Sequence, residues 1–471
     1  MVSPWLRRRY GLTLLNIWAI TLDFTSCATH PTAPERLKRE TLAESIASAP
    51  MGCPLLPSWN RSSPSKFDGA SYYNAHQPID VVGLFDYRAT EEQIDVETGR
   101  PVTLDLLHVY HQPEFNSDEN PGIVAIFRNA FVTNEWTHVY DCRIRWLAGG
   151  CKVHPHPGDA WTKFSSADLT PKRRRNLDGI VVNIFQLWGT GTYHFLIESF
   201  PRIAHVHQFL LDNPMVRVLV PAAPRPLADQ MFRLIGIDPS RLVRKDRKDN
   251  FFVETLLVPT PTACGRASRP ALQAIKTLLR KGVVAAYYGG DEPQRDPHHR
   301  HIVVQQRSPG GHRSVTNHDQ LVEALRAAFP TATIDVYKAD DSLETCIRKH
   351  FLADLVVGPH GAGLSNVLFT PPSGFGVIEV HPSRGNGVDA SGPLFINTCH
   401  MHSALRAGGL YRSLMASMNK GGVSGPMTVD ATKIVAYAKD LFQELDANRT
   451  AAAIAEKKEG THVLNPRSWW A

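Results

Sequence analysis

The stretch Asp354–Phe369, reading Asp-Leu-Val-Val-Gly-Pro-His-Gly-Ala-Gly-Leu-Ser-Asn-Val-Leu-Phe, most narrows what this chain can fold into. Leu355 to Val357 is a short apolar run bounded by Gly358-Pro359, the mark of a buried strand. His360-Gly361-Ala362-Gly363 is small and permissive. Leu364, Val367 and Leu368 then fall at helical spacing until Pro371-Pro372 halts the run. The reading is strand, glycine turn, helix. Such a turn leaves backbone N–H groups open at a helix N-terminus, where the macrodipole also favours an anion. A glycine turn with no ligand looks the same when it stands alone. Here the strand Val377-Ile378-Glu379-Val380 follows, and it can carry an acidic side chain to the same sheet edge.

The surrounding sequence alternates strands and helices. Pro270 to about Ala286 is an amphipathic helix, His301 to Gln305 a strand, and Asn317 a helix cap with Gln320 three residues on, a capping-box arrangement. That helix ends at Phe329-Pro330. Thr333 to Tyr337 is a strand and Ser342 to Phe351 a helix, before the central strand. Alternation at these lengths implies a parallel sheet, whose ligands bind beyond the carboxyl ends of its strands. The first half is more mixed. Strands are expected at Val81–Phe85, Ile123–Phe127, Phe131-Val132, Thr137–Tyr140, Gly179–Phe185, Val216–Val220 and Phe252–Val258, with a helix at Leu227–Leu234. Between them, Gly189-Thr-Gly-Thr-Tyr-His-Phe-Leu-Ile-Glu-Ser-Phe-Pro-Arg202 continues at helical spacing through Val206 and Phe209, with Pro201 as an interruption. The fold class is α/β, the first half carrying antiparallel additions, with a helix at Val429–Leu445 near the end.

The chain has 471 residues, 43% of them hydrophobic and 20% charged, enough for two packed domains with appendages. Its net charge of +6 and scattered basic runs, Lys172–Arg175 and Arg244-Lys245 among them, read as solvated faces. No aromatic-interleaved basic platform for single-stranded nucleic acid is present. Arg7-Arg8-Arg9 precedes the apolar run Tyr10–Leu22, whose 13 residues span only about 20 Å as helix. That length suits a signal peptide with Ser26-Cys27-Ala28 as a small-residue cleavage site, or a short type II anchor. Either would send the rest into the secretory lumen, and sequons at Asn60 and Asn448 are compatible with that. The expected organisation is 1–28 signal or anchor, 29–65 stem, 66–268 and 269–425 two α/β domains, and 426–471 a helix and tail. Of seven cysteines none forms a CxxC, Cys142 and Cys151 could close a small loop, and the odd total leaves a thiol unpaired.

Chemistry-bearing residues gather at strand ends. Arg307 follows His301–Gln306, Arg313 comes six residues later, and Asn317 opens the next helix. His360, Gly361, Ala362 and Gly363 follow the central strand, and Glu379 lies in the next. Two guanidiniums and a helix N-terminus at one sheet edge suit a diphosphate. Glu379 could accept from ribose hydroxyls, the task of an acidic residue in dinucleotide folds. His194 and Glu198 are four apart and share one helix face. No Asp-x-Asp flanked by an apolar strand appears, so no obligatory metal is expected. The loose clusters His298-His299-x-His301 and His400-x-His402 read as surface.

His360-Gly-Ala-Gly-Leu364 with Val377-Ile-Glu-Val-His-Pro382, preceded by Arg307, Arg313 and Asn317, resembles glycosyltransferase family 61. Tyr193-His-Phe-Leu-Ile-Glu-Ser-Phe-Pro-Arg202 resembles that family's other recurring motif, and the likeness covers roughly residues 180–382. It implies two Rossmann-type domains facing a cleft (GT-B), with 66–268 on the acceptor side and 269–425 on the nucleotide-sugar side. It implies a UDP-sugar donor with no obligatory cofactor, inversion at the anomeric carbon, transfer of xylose or N-acetylglucosamine to a glycan or glycoprotein, and a lumenal domain in the Golgi or endoplasmic reticulum. His194 or Glu198 would then be the base. Two alternatives stay open on the residues alone. A glycan-binding protein could have kept the fold without transfer. A nicotinamide oxidoreductase also uses strand-glycine-helix turns, although the first βα turn here lacks G-x-G-x-x-G.

Overall fold

A computed structural model describes residues 174–459, apart from 187, 247–248, 260–261, 263–264, 266, 297, 383–396 and 419–424. It also describes the strand segments 93–94, 101–102, 108–111, 124–132, 138–140 and 144–147. The signal or anchor segment, the stem, the strand expected at Val81–Phe85, the Cys142–Cys151 pair and the sequon at Asn60 lie outside these residues. Among the described residues, no helix is long and apolar enough to cross a membrane.

Gln93–Ile94 (β1) and Pro101–Val102 (β2) form a small antiparallel pair. The first large sheet is built from His108–His111 (β3), Val124–Val132 (β4), His138–Tyr140 (β5), Ile144–Leu147 (β6), Arg174–Asn183 (β7), Arg217–Pro221 (β8), Leu242–Lys245 (β9) and Asn250–Pro259 (β10). Its order is β3-β6-β5-β4-β10-β7-β8-β9. β10, β7, β8 and β9 run parallel, whereas β4 pairs antiparallel with β10, and β5 with β4 and β6. The mixed character expected of this half is present. The strands expected at Ile123–Phe127 and Phe131-Val132 are one continuous strand, and β9 carries no alternation that would have announced it.

The second sheet holds His301–Gln306 (β11), Thr333–Lys338 (β12), Leu355–Pro359 (β13), Gly376–Pro382 (β14), Leu410–Met418 (β15) and Met427–Thr428 (β16). Its order is β12-β11-β13-β14-β15-β16, parallel throughout except for β16. Numbered among themselves, the five parallel strands run 2-1-3-4-5, a doubly wound order whose direction reverses between β11 and β13. Side chains of period two decide the two faces. Ile302, Val304, Leu355, Val357, Ile378 and Val380 enter one apolar cluster with the helices His318–Ala328 and Ala431–Glu459. Val303, Val356 and Val377 enter the other, with the helix Leu343–Phe351. Covered on both faces, these strands read as near-continuous apolar runs.

That second cluster also takes in Phe195, Phe200, Phe209 and Val220 of the first half, so one apolar core runs through both sheets. The helix Arg269–Tyr287 belongs to it. Ser268 caps this helix by accepting from the Ala271 N–H, and Pro270 follows at its start. Lys276, on its buried face, donates from Nζ to Val367 O, Pro371 O and Ala407 O at 3.1 Å and to Thr370 Oγ1 at 3.0 Å. Burial first, and then Arg280, pushes its pKa well down. One ammonium thus gathers the open carbonyls at the ends of two elements, Ala362–Phe369 and Cys399–Arg406.

Two sequence expectations, one about charge and one about capping, give way here. Lys245 is fully buried rather than solvated, and burial brings its pKa down to about 7. Asn317 does stand at the start of its helix, but its side chain makes no cap bond and no capping box forms. Its amide clasps the chain at Val429 instead, donating to the carbonyl at 2.9 Å and accepting from the N–H at 3.0 Å.

Candidate active site

The segment from Gly189 to Asp212 makes a helix that cannot stay regular. Pro201 has no N–H to give, so the α-helical ladder breaks at that residue. His194–Ser199 adopts π geometry, Phe200–His205 is 3-10, and His207–Asp212 is α. Short π stretches recur at functional sites because they change which side chains face one another. Here the His194 Nδ1 and the Glu198 Oε2 lie 2.8 Å apart. Glu198 is fully buried and His194 is 28% exposed, so only the imidazole reaches the surface. The carboxylate also accepts from the Gly265 N–H at 2.8 Å and the Gln186 Nε2 at 3.3 Å. Nδ1 is thus the ring nitrogen that Glu198 holds. Arg202, also fully buried, ties this segment to the sheet by donating from Nε to Pro259 O and from Nη1 to Phe185 O.

The glycine turn lies where β11 and β13 part. Gly358 and Gly363 leave room for Gln305, which donates to Gly363 O at 2.9 Å, and a Cβ at either position would strike its amide. At Gly361 a Cβ would overlap the Arg307 Nη1. The glycines therefore admit Gln305 of β11 and Arg307 just beyond it, a reason that the turn alone does not disclose. The helix expected after the turn is 3-10 over Ala362–Phe369. Its first N–H groups, at the exposed Ala362 and half-buried Gly363, have no partner within the helix.

Arg307 crosses this turn and reaches His360 O at 3.4 Å. Burial and then neighbouring Arg313 lower its pKa. Arg313 has a φ of 54°, in the left-handed region that non-glycine residues seldom occupy. Its loop is pinned there by bonds from Arg313 N to Gly425 O, Thr316 N to Met427 O and Met427 N to Ser314 O. The Asn317 clasp completes that pinning, so Asn317 shapes the loop instead of pointing at a ligand. Burial lowers the Arg313 pKa, with Glu379 acting in the opposite sense, and its buried Nε has no partner among the described residues. No carboxylate lies within ion-pair distance of either guanidinium among those residues.

Glu379, which the sequence offered as an acceptor for ribose hydroxyls, is engaged within the protein. It is fully buried, accepting from His360 Nδ1 at 2.5 Å and Tyr411 Oη at 2.6 Å, with His381 Nε2 at 3.5 Å. Burial by itself would raise its pKa; the hydrogen bonds from His360 and His381 win and hold it well below the usual carboxylate range. Its work is to orient His360, which stacks on His381 with ring centroids 5.4 Å apart.

The two sites meet. Tyr193, next to His194, packs edge-on against His400 at 5.0 Å, and His400 packs edge-on against His360 at 5.1 Å. The Tyr193 hydroxyl reaches toward Cys399 O and Ser403 Oγ. His400, expected at the surface, is only 3% exposed and joins the halves of the site. No spacing could have shown this, since its place depends on how the helix Cys399–Arg406 packs on the glycine turn. His298 and His299 are exposed, as expected.

Fold and site together give an α/β protein in which a His–Glu pair and a turn carrying two guanidiniums are linked through Tyr193, His400 and His360. Residues 192–378 match the family model described as Glycosyltransferase 61. The chain carries that family's domain, and the protein is a glycosyltransferase. The matched span contains His194, Glu198, Arg307, Arg313, Asn317 and the glycine turn, and ends one residue before Glu379. No curated protein matches the chain.

Proposed function

We propose that this glycosyltransferase moves xylose or N-acetylglucosamine from a UDP-sugar to a hydroxyl of a glycan or glycoprotein, with inversion at the anomeric carbon. The observation that carries this reading is the pair Arg307 and Arg313 beside the glycine turn, with no carboxylate in ion-pair reach among the described residues. Two such guanidiniums call for a doubly charged anion, and a diphosphate matches their charge and fork geometry. Their place at the reversal point of a doubly wound sheet, past the carboxyl ends of β11 and β13, is where such sheets take ligands. In this reading the two sheets are the halves of a GT-B enzyme, the second binding the nucleotide sugar.

His194 takes the proton of the acceptor hydroxyl on Nε2 while Glu198 steadies the imidazolium through Nδ1. The acceptor oxygen attacks the anomeric carbon from the face opposite the phosphate. The bond from that carbon to the diphosphate oxygen breaks, and UDP leaves with the electron pair. Arg307, Arg313, His360 and the turn amides stabilise the charge that builds on the leaving oxygen. This arrangement supplies the positive charge that other glycosyl transfers draw from a metal, so no cation is required. Entry into the Golgi or endoplasmic reticulum lumen rests on the basic and apolar N-terminal residues alone.

The test is UDP release across a panel of UDP-sugars with glycopeptide acceptors, in EDTA, with the product anomer read by NMR. One sugar should turn over to give the inverted linkage. UDP binding without release on any acceptor would favour a glycan-binding protein that kept the fold. An absolute need for added metal would count against the two-arginine account.

A further inference from the structure

Beside the donor turn lies a second cluster, which shares His360 with the turn and adds two residues that the transfer reaction does not use. One ring nitrogen each of His360 and His400 and the Sγ of Cys399 all lie within 4.8 Å of one another. His400 is 3% exposed and Cys399 7%, so both face protein and not solvent. The Nδ1 of His400 is buried without a hydrogen-bond partner among the described residues, which is uncommon for a buried polar atom in a native protein. The Cys399 thiol is free. His360 has one nitrogen held by the Glu379 carboxylate at 2.5 Å, the support that metal-bound imidazoles usually receive from behind.

We propose that His360, Cys399 and His400 form a binding site for one thiophilic divalent cation, zinc above all. Two imidazoles and a thiolate are a donor set suited to tetrahedral zinc, with ligand atoms held at about 2.0–2.3 Å from the ion. Three protein ligands leave a fourth position for water or a substrate oxygen. As the S–Zn bond forms, the Cys399 proton passes to solvent, and both imidazoles bind as neutral rings. The alternative grouping of His360, Glu379 and His381 is already consumed by hydrogen bonds within it, so Glu379 serves here as outer support. The site joins the glycine turn to the helix Cys399–Arg406. A consequence, which rests on the function proposed above, is that the ion takes His360 away from the diphosphate and slows transfer.

Cobalt is the probe. Full-length protein, reduced and stripped with EDTA, is titrated with Co2+ and then Zn2+. A thiolate-to-cobalt charge-transfer band should grow to one ion per chain, be displaced by Zn2+, and be absent in Cys399→Ser and in His400→Gln. Glu379→Gln should weaken binding by about 10–100-fold. Melting curves on each variant establish which are folded, and two separate ligand substitutions guard against one failing to fold. No band in wild type, or a band that survives in either folded ligand variant, overturns the site. Zinc should also inhibit UDP release reversibly, and the inhibition should weaken in Cys399→Ser. A protein that binds cobalt as described but releases no UDP even in EDTA would keep the metal site and remove the proposed function.

Discussion

At the scale of single residues, the proposed function rests most on the His194–Glu198 pair and the Arg307–Gly361 contact. Glu198 is surrounded by donors from His194, Gln186 and Gly265, so it is placed to hold a ring and not to meet a substrate. His194→Ala should therefore lower kcat by about 10²–10⁴ with UDP affinity unchanged. Glu198→Gln should cost less, and single-turnover rates beside UDP calorimetry give both numbers. A larger loss in Glu198→Gln would move the base to the carboxylate. On the donor side, Arg307→Ala and Arg313→Ala should each weaken UDP binding by about 1.5–3 kcal/mol, the worth of a hydrogen bond to a charged group. Gly361→Ala should behave much like Arg307→Ala. The added methyl occupies the position of the guanidinium nitrogen, and the extended backbone there tolerates any residue. If Gly361→Ala kept full UDP affinity, the guanidinium would not be needed in its present place.

At the scale of elements, the 3-10 helix Ala362–Phe369 depends on a neighbour far away in sequence. Lys276 closes its C-terminal carbonyls and one from the helix Cys399–Arg406. Lys276→Met keeps most of the side-chain volume and leaves these acceptors buried and unmatched, at about 1–3 kcal/mol for each group not re-solvated. Its melting temperature should drop clearly, with kcat reduced less than KM is raised, because the donor turn loosens while His194 stays in place. Denaturant titration and steady-state kinetics on the one variant check both parts. The π and 3-10 stretch from His194 to His205 is the other element whose form matters. Pro201 breaks the regular ladder there, and Arg202 secures the broken piece to the ends of β7 and β10.

For the whole molecule, stability should fall on mild acidification. Burial, aided by Arg202, holds His205 down to about 3, and burial holds His350 down to about 4, from 6.5. Both rings stay neutral in the folded state while the unfolded chain takes up protons below pH 6.5, so each contribution is complete above 6.5 and shrinks as the pH falls. A single unit of depression is worth about 1.4 kcal/mol, so even one unit at each ring removes about 3 kcal/mol by pH 4.5. Glu379 acts in the same direction, at lower pH. Its depressed pKa stabilises the fold above the ordinary carboxylate value and is lost only in stronger acid. Calorimetric melting from pH 7.5 to 4.5 should show a steady decline, and a flat profile would mean that the two rings have water access.

Much of the second sheet was legible because its cause is local. Apolar runs such as Leu355–Val357, bounded by glycine and proline, have few conformations that bury them, and alternation with helices of ten or so residues dictates parallel strands. The candidate base pair was legible for a similar reason, since a spacing of four on a helix sets two side chains together whether the turn is α or π. What Asn317, Glu379 and His400 do was not legible. Each is polar, and a polar side chain satisfies itself with whatever the fold brings near, which for Asn317 is Val429 and for Glu379 is His360 and Tyr411. The sequence by itself determined the strands, the turn and which residues could carry charge. Only the tertiary structure decided which of those charges are consumed by partners distant in the chain and which, like Arg307 and Arg313, have no carboxylate in ion-pair reach among the described residues.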